Sequence, residues 1–233
     1  HKVTGVQTCA LPICKVLANS DISYVKWDMN RGVTDAYSSE LASDEQGEFY
    51  HRYMLGVYDL ADRLTKAFPD VFFEGCASGG GRFDAGMLYY FPQIWTSDDT
   101  DAYERTRVQW GTATCYPQSA MSCHVSACPN HQTRRVTPLH TRGVVASLGP
   151  TGYELDPTKL TDEEVAEVAS QIREYEKVAD LILKGDSYRL CSPFDGNYFV
   201  QMIVSKDKKQ AYVCGVRIHR SEERRVGKEC RSR

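Results

Sequence analysis

The sequence lacks any long apolar run, since none of its segments reaches the roughly 18 consecutive apolar residues typical of a membrane-spanning helix. It also has little excess of either charge, because 28 Lys and Arg against 31 Asp and Glu give a net charge of −3. That balance offers no electrostatic basis for binding nucleic acid or an anionic membrane. The 233 residues are 42% hydrophobic and 25% charged, which is typical of one large or two small globular domains.

Common patterns of nucleotide, serine-hydrolase and zinc sites are missing as well. The glycine run at residues 79–81 fits neither G-x-x-x-x-G-K-[ST] nor G-x-G-x-x-G, and Ser78 and Ser97 stand outside a G-x-S-x-G elbow. Four potential metal ligands follow no standard zinc spacing: Cys123, His124, Cys128 and His131. We therefore expect no cofactor and no metal, and nucleotide or zinc binding is only a minor alternative.

The nine cysteines are odd in number and scattered through a chain much longer than a disulfide-stabilised miniprotein. We expect most of them to be reduced thiols and the protein to be cytoplasmic.

Both ends of the sequence differ from the rest. Residues 3–13 and 220–230 can each be back-translated into a common short-read sequencing adapter, so we expect residues 1–13 and 220–233 to be adapter-derived. Removing them takes away seven of the 28 Lys and Arg and three of the 31 Asp and Glu, which leaves 21 against 28 and a net charge of −7. A genuine basic C-terminal tail is the alternative.

Short β-type runs alternate with helical patterns along most of the chain. Strands are predicted at residues 22–26, 71–73, 94–96, 120–125 and 144–148, and helices at residues 50–64 and from Ala102. Thr161 and Glu164 form a T-x-x-E capping box before an apolar stripe, and Gly185 stands where a helix C-cap is expected. Beyond it, residues 198–204 and 210–216 alternate with period two, which predicts a hairpin.

Strands that alternate with helices predict parallel βαβ units. Polar residues follow these strands at their C-terminal ends, where a (β/α) barrel has its active site. We therefore expect residues 14–185 to form a partial (β/α)8 barrel, about strands 4 to 8, with three units missing on the N-terminal side. Residues 186–219 are expected to begin a C-terminal antiparallel β domain.

The first candidate site is the motif K-W-D-M-N-R at residues 26–31. Side chains alternate along an extended strand, so Lys26, Asp28 and Asn30 share one side. A nearby lysine favours the ionised form of Asp28, and an ionised carboxylate beside an amide suits a nucleophile that attacks a sugar. A surface salt-bridge cluster is the alternative.

Two further motifs follow strands. In W-T-S-D-D-T-D, residues 95–101, three crowded carboxylates favour protonation of one of them, as a general acid requires, although helix N-capping is an alternative for each. In E-G-C-A-S-G-G-G-R-F-D, residues 74–84, consecutive glycines allow the backbone to approach a ligand closely. We interpret that loop as facing a sugar.

In this order and spacing, these motifs, together with S-C-H-V-S-A-C-P-N-H-Q, resemble glycoside hydrolase family 36 α-galactosidases, and the likeness extends from Lys15 to Ile218. The resemblance implies that Asp28 is the nucleophile and Asp98 the acid/base of retaining hydrolysis, a mechanism in which the two carboxyl groups lie about 5–5.5 Å apart. It also implies a set of residues at the galactosyl ring: Lys26, Asn30, Cys76 and Gly79, with Trp95 near the site.

The resemblance implies hydrolysis of terminal α-galactosides such as melibiose or raffinose, without metal or cofactor, by a parent protein that is often a homotetramer. α-N-Acetylgalactosaminidase activity, galactosyl transfer on the same scaffold, or an inactive sugar-binding fragment are the alternatives. Members of that family also carry an N-terminal β-sandwich and three earlier barrel strands, which this sequence does not contain. We therefore expect the 233-residue chain on its own to be aggregation-prone and inactive.

Overall fold

The computed structural model describes residues 12–30 and 32–218, which divide between Asp98 and Asp99 into two compact units. Of the two terminal segments predicted to be adapter-derived, the structure describes only residues 12 and 13. The prediction for all the other residues of these segments lies outside the described part. Within the described ranges, no helix is both long enough and apolar enough to cross a membrane.

The first unit alternates parallel strands with helices. Its elements in chain order are β1 (Tyr24–Asp28), α1 (Phe49–Ala67), β2 (Phe72–Cys76), α2 (Ala85–Tyr90) and β3 (Gln93–Trp95). β1 pairs in parallel with β2, and β2 pairs in parallel with β3. The C-terminal ends of the three strands therefore point in the same direction, as the barrel prediction requires.

An apolar layer between strands and helices determines which side chains of β1 point away from the helices. Helix α1 buries Ala61 and Leu64 against Phe73 and Ile94, in a cluster that also receives Val25 and Trp27. Because side chains alternate along a strand, the residues between them point away from this layer and are exposed: Tyr24, Lys26 and Asp28.

The second unit begins with the same alternation. Its elements are α3 (Ala102–Thr112), β4 (Met121–Ser126), α4 (Leu139–Ala146), β5 (Thr151–Glu154) and α5 (Asp162–Lys184), and β4 pairs in parallel with β5. The predicted helix from Ala102 and the predicted strand at residues 120–125 are thereby confirmed.

The strand predicted at residues 144–148 is wrong. Most of that apolar run belongs to the end of α4, where the buried residues recur at helical spacing: Leu139, Arg142, Val145 and Ala146. The strand lies after Gly149 and Pro150, as β5. A run of five residues, four of them apolar, is too short for its period to distinguish strand from helix.

A three-stranded antiparallel sheet follows α5, as predicted. It consists of β6 (Asp186–Cys191), β7 (Tyr198–Val204) and β8 (Ala211–Arg217), in that order. β7 and β8 are the predicted hairpin, and β6 is an additional strand whose pairing with β7 is interrupted by an irregularity between Arg189 and Cys191. Phe199 and Ile203 of β7 are fully buried in a cluster with Ile182 of α5.

Helix α5 has the two ends that the sequence predicts. The Thr161 side chain accepts a hydrogen bond from the Glu164 backbone N–H at 3.3 Å, and the Glu164 side chain accepts one from the Thr161 N–H at 3.1 Å. Gly185 is the C-cap, but its backbone is extended rather than left-handed. The glycine is needed for space, since a Cβ atom there would lie 2.5 Å from the Leu181 carbonyl oxygen and 2.6 Å from Ile203 Cγ2.

We expect Thr161→Ala to lower the free energy of unfolding by about 1 kcal/mol, because the Glu164 N–H loses its acceptor. Thr161→Ser keeps a hydroxyl at the cap and should retain most of that stability. Chemical denaturation of the two variants measures the difference, and equal stabilities would show that the capping box contributes nothing.

Candidate active site

Asp28 lies at the C-terminal end of β1, beside the glycine-rich loop that follows β2. The Asn30 side-chain amide donates a hydrogen bond to Asp28 Oδ2 at 2.9 Å. The Asn30 side-chain oxygen in turn accepts the Ser78 backbone N–H at 2.7 Å. Asn30 thus joins the candidate nucleophile to the glycine-rich loop.

Cys76 faces Asp28 across the strand pair. The two residues are register partners in β1 and β2, and the Met29 N–H donates to the Cys76 carbonyl at 3.1 Å. Burial raises the pKa of the Cys76 thiol from its ordinary value of 9.0 to about 11; a hydrogen bond from the Gly79 backbone opposes the rise, and the Asp28 carboxylate adds to it. The thiol is therefore neutral at physiological pH and places no second negative charge beside Asp28.

Gly79 brings the glycine-rich loop against the chain that carries Asp98. Its φ is +78°, in the left-handed region that side chains disfavour. A Cβ atom at this position would lie 2.7 Å from Ser97 Cα and 2.8 Å from the Asp98 backbone nitrogen. Only glycine allows the two main chains to approach this closely.

Asp98 receives its hydrogen bond from Trp95. The indole Nε1–H donates to Asp98 Oδ1 at 3.1 Å, and Trp95 is only 2% exposed. The Lys26 ammonium lies 4.1 Å from the centroid of the Trp95 ring. Lys26, Trp95 and Asp98, named separately from the sequence, therefore form one line of contacts.

The ion pair of Lys26 differs from the one that the sequence suggested. Lys26 Nζ lies 3.9 Å from Glu74 Oε1, whereas the sequence interpretation assigned the lysine directly to Asp28. Glu74 is fully buried and also accepts hydrogen bonds from the Tyr24 hydroxyl and from the Gln93 side-chain amide. The lysine therefore pairs with a carboxylate that sequence reasoning passed over.

The three carboxylates after Trp95 have separate partners. Asp101 caps α3, accepting the backbone N–H groups of Tyr103 and Glu104 at 2.9 and 3.2 Å, and its side chain also pairs with Arg135. Asp99 accepts the Asp101 N–H at 3.0 Å. The capping alternative therefore holds for Asp101, and Asp98 is the aspartate whose side chain contacts Trp95.

Sequence reasoning also missed Arg82, within the glycine-rich motif. Its guanidinium donates to the Met29 carbonyl at 3.3 Å and to the Cys76 carbonyl at 3.0 Å, which ties together the ends of β1 and β2. The available signal was the only basic residue of the motif, directly after its three glycines. A similar signal, a carboxylate two positions before Cys76 on the same strand, marked Glu74.

Metal ligands and disulfides can be judged only for residues 12–30 and 32–218. No group of three or more His, Cys, Asp or Glu residues in these ranges is arranged to hold a metal ion. The seven cysteines in these ranges are all free thiols.

The protein family described as Melibiase matches residues 5–185. α-Galactosidase Mel36A of Lactobacillus acidophilus is 50% identical over 204 residues, which cover 88% of this chain and 28% of that protein. α-Galactosidase AgaA of Geobacillus stearothermophilus is 53% identical over 206 residues, again 88% of this chain and 28% of that protein. The chain thus spans little more than a quarter of the length of these curated relatives.

The crystal structure of the GH36 α-galactosidase AgaA matches this fold with a TM-score of 0.92 at 49% identity, over 95% of this chain and 31% of that chain. The fold class predicted from the sequence is therefore confirmed. Strands β1 to β5 and their helices belong to a partial (β/α)8 barrel, and β6 to β8 belong to a following antiparallel β domain.

We expect Gly79→Ala to destabilise the first unit by about 2 kcal/mol or more, because it adds both a disfavoured left-handed backbone and a clash with main-chain atoms. Gly47→Ala is the matched control, since nothing lies within 4 Å of a Cβ atom at Gly47. Denaturation of the two variants provides the comparison, and similar losses in both would contradict the close approach at Gly79.

We expect iodoacetamide at pH 8 to alkylate Cys76 far more slowly than the exposed Cys115 and Cys191. The thiolate is the reactive form, and a pKa of about 11 instead of 9.0 leaves about 100-fold less of it. Peptide mapping by mass spectrometry gives each rate, and unfolding in urea should remove the difference. Equal rates in the folded chain would contradict a buried, neutral thiol.

Proposed function

Because this chain belongs to the melibiase family, we propose that its Asp28 and Asp98 are the catalytic carboxylates of a retaining α-galactosidase. The observation that carries the proposal is the meeting of two strand ends, with Asp28 beside the glycine-rich loop and that loop packed on the backbone of Asp98. Two carboxylates at neighbouring strand ends suit double displacement, in which one attacks the anomeric carbon and the other transfers the proton.

In the first step, an Asp28 oxygen forms a bond to the anomeric carbon while the glycosidic bond breaks. Asp98 gives its proton to the leaving oxygen, so the aglycone departs as a neutral alcohol and a β-linked galactosyl ester remains on Asp28. In the second step, Asp98 takes a proton from water, and the water oxygen replaces Asp28 at the same carbon. Two inversions give galactose with its α configuration retained.

The neighbours of Asp28 fit the role of a nucleophile. The Asn30 amide donates a hydrogen bond to Asp28 Oδ2 and thereby orients the carboxylate. The neutral Cys76 thiol adds no competing negative charge, and its burial keeps water from one side of the carboxylate. We assign Lys26, Asn30, Cys76 and Gly79 to binding of the galactosyl ring, and Trp95 to support of Asp98.

Structures of AgaA variants support both the substrate class and the carboxylate pair. One variant structure contains raffinose and another contains stachyose, and each carries a substitution at a different aspartate. Those two aspartates are 70 positions apart in AgaA, which is also the separation of Asp28 and Asp98 in this chain. Terminal α-galactosides of this oligosaccharide type are therefore the proposed substrates.

Related specificities use the same carboxylates. The resemblance of this chain to α-galactosidases leads us to favour plain galactosides over α-N-acetylgalactosaminides. A panel of aryl glycosides distinguishes hydrolysis of galactosides from hydrolysis of amino-sugar substrates. Sucrose offered as an acceptor distinguishes galactosyl transfer from hydrolysis. We further propose a cytoplasmic, homo-oligomeric enzyme.

Because we expect the 233-residue chain to be inactive on its own, the test uses a chimera in which residues 15–218 replace the matching segment of AgaA. In the chimera, we expect Asp28→Ala to abolish hydrolysis of both melibiose and 2,4-dinitrophenyl α-galactoside. Asp98→Ala should lower kcat for melibiose by roughly 100- to 10,000-fold, but much less for galactosyl transfer from the dinitrophenyl substrate, because that leaving group needs no proton.

Azide provides the stereochemical readout. It should rescue Asp28→Ala as the β-galactosyl azide, by single inversion, and Asp98→Ala as the α-galactosyl azide. Asp59→Asn, a change on the exposed face of α1, is the matched control and should keep full activity. Full activity of Asp28→Ala, or an equal loss of Asp98→Ala on both substrates, would overturn the assignment.

A further inference from the structure

We propose that the buried Glu74 is a positioning residue: it holds the Lys26 ammonium over the face of Trp95 and thereby sets the hydrogen bond from Trp95 to Asp98. Its consequence for catalysis rests on the proposed roles of Asp28 and Asp98. The contacts themselves run through the first unit only, from β2 to β1, then to β3 and the chain after it.

The first step is the charge balance at Glu74. The side chain is fully buried, and a buried carboxylate requires hydrogen bonds and a counter-charge to be tolerated. Tyr24 and Gln93 supply hydrogen bonds. The Lys26 ammonium, 3.9 Å from Oε1, supplies the charge, and the parallel register places Lys26 directly opposite Glu74.

The second step concerns which carboxylate, Glu74 or Asp28, the Lys26 ammonium approaches. Lys26 and Asp28 point to the same side of β1, so the ammonium has a second carboxylate within reach of its flexible side chain. Glu74 draws it instead to a position 4.1 Å from the centroid of the Trp95 ring. The carboxylate of Glu74 therefore decides whether the positive charge is applied to Trp95 or to the nucleophile.

The third step is the effect on Asp98. A cation over the indole face attracts the ring electrons, which makes the Nε1–H a stronger donor to Asp98 Oδ1. A stronger donor favours the ionised form of Asp98. Retaining hydrolysis needs Asp98 as an acid in one step and as a base in the next. The contact of Lys26 with Trp95 therefore affects how readily Asp98 performs each role.

The ionisable groups along this line belong to three segments: Tyr24, Lys26 and Asp28 of β1; Glu74 and Cys76 of β2; Asp98 and Asp99 after β3. The experiment must therefore separate an effect carried by Lys26 from the simple loss of a negative charge. These two effects have opposite signs for Glu74→Gln, which makes the variant decisive.

The chain contains three tryptophans, Trp27, Trp95 and Trp110. A ¹⁵N–¹H spectrum therefore shows three indole N–H signals, which Trp→Phe variants assign. The Trp95 signal follows ionisation of Asp98 through their hydrogen bond, so a pH titration of that signal gives the midpoint for Asp98.

We expect Lys26→Met to raise this midpoint, because the ring loses its cation. Glu74→Gln should also raise it, by up to about one pH unit, since the released ammonium moves towards Asp28. Without such movement, removal of a negative charge at Glu74 would lower the midpoint. An unchanged or lowered midpoint in Glu74→Gln therefore overturns the proposal.

Two further variants keep the test decisive if Glu74→Gln does not fold. Lys26→Arg keeps a cation that can stack on Trp95 and should preserve the wild-type midpoint, whereas Lys26→Met should not; equal titrations of these two variants also overturn the proposal. In an Asp28→Asn background the ammonium has no second carboxylate to approach, so Glu74→Gln should have a smaller effect. Asp59→Asn removes a distant carboxylate and should leave the Trp95 signal unchanged.

The pH profile of kcat in the AgaA chimera provides the second measurement and separates two kinds of failure. A Trp95 signal that responds to Glu74 in the 233-residue chain, together with a chimera inactive on α-galactosides, contradicts the proposed function alone. A chimera that hydrolyses melibiose with the same pH profile in Glu74→Gln and wild type contradicts the positioning role alone. Parallel shifts of the midpoint and of the profile support both.

Discussion

The parallel register of β1 and β2 is the constraint on which the site depends. It sets Lys26 opposite Glu74 and Asp28 opposite Cys76, so each of these groups on β1 meets a polar partner on β2. A shift of one residue would turn these side chains toward the apolar layer under α1. The burial of Val25 and Trp27 in that layer prevents the shift, which makes the hydrophobic face of β1 responsible for the geometry of its polar face.

The glycine-rich loop extends this arrangement to the third strand. Its backbone meets Asn30 on one side and the Ser97–Asp98 main chain on the other, and Arg82 binds carbonyl groups at the ends of β1 and β2. Two carboxylates from distant parts of the sequence are therefore located mainly by main-chain contacts. Asn30 and Trp95 then donate hydrogen bonds to these carboxylates, and Cys76 lies opposite Asp28.

The sequence predicted the parts of this arrangement that leave a local pattern. The amphipathic stripe of α1, the capping box of α5 and the period-two hairpin of β7 and β8 each occupy enough residues for the period to be read. The run at residues 144–148 was too short, and α2, with six residues, and β6 gave no clear period. The motifs offered Asp28 and Asp98 as candidates, whereas the partner of Lys26 depends on pairing between strands that no local pattern encodes.

The close contact at Gly79 also bears on how readily this scaffold can change its chemistry. The distance between two carboxylates decides whether a glycosidase retains or inverts configuration. Between the chain segments that carry the proposed pair, Asp28 and Asp98, the contact at Gly79 joins one main chain to another and has no side chain that could be enlarged or trimmed. With the proposed roles, substitutions around the ring would alter substrate preference, whereas a change in the stereochemical course would require the backbone of that loop to be rebuilt.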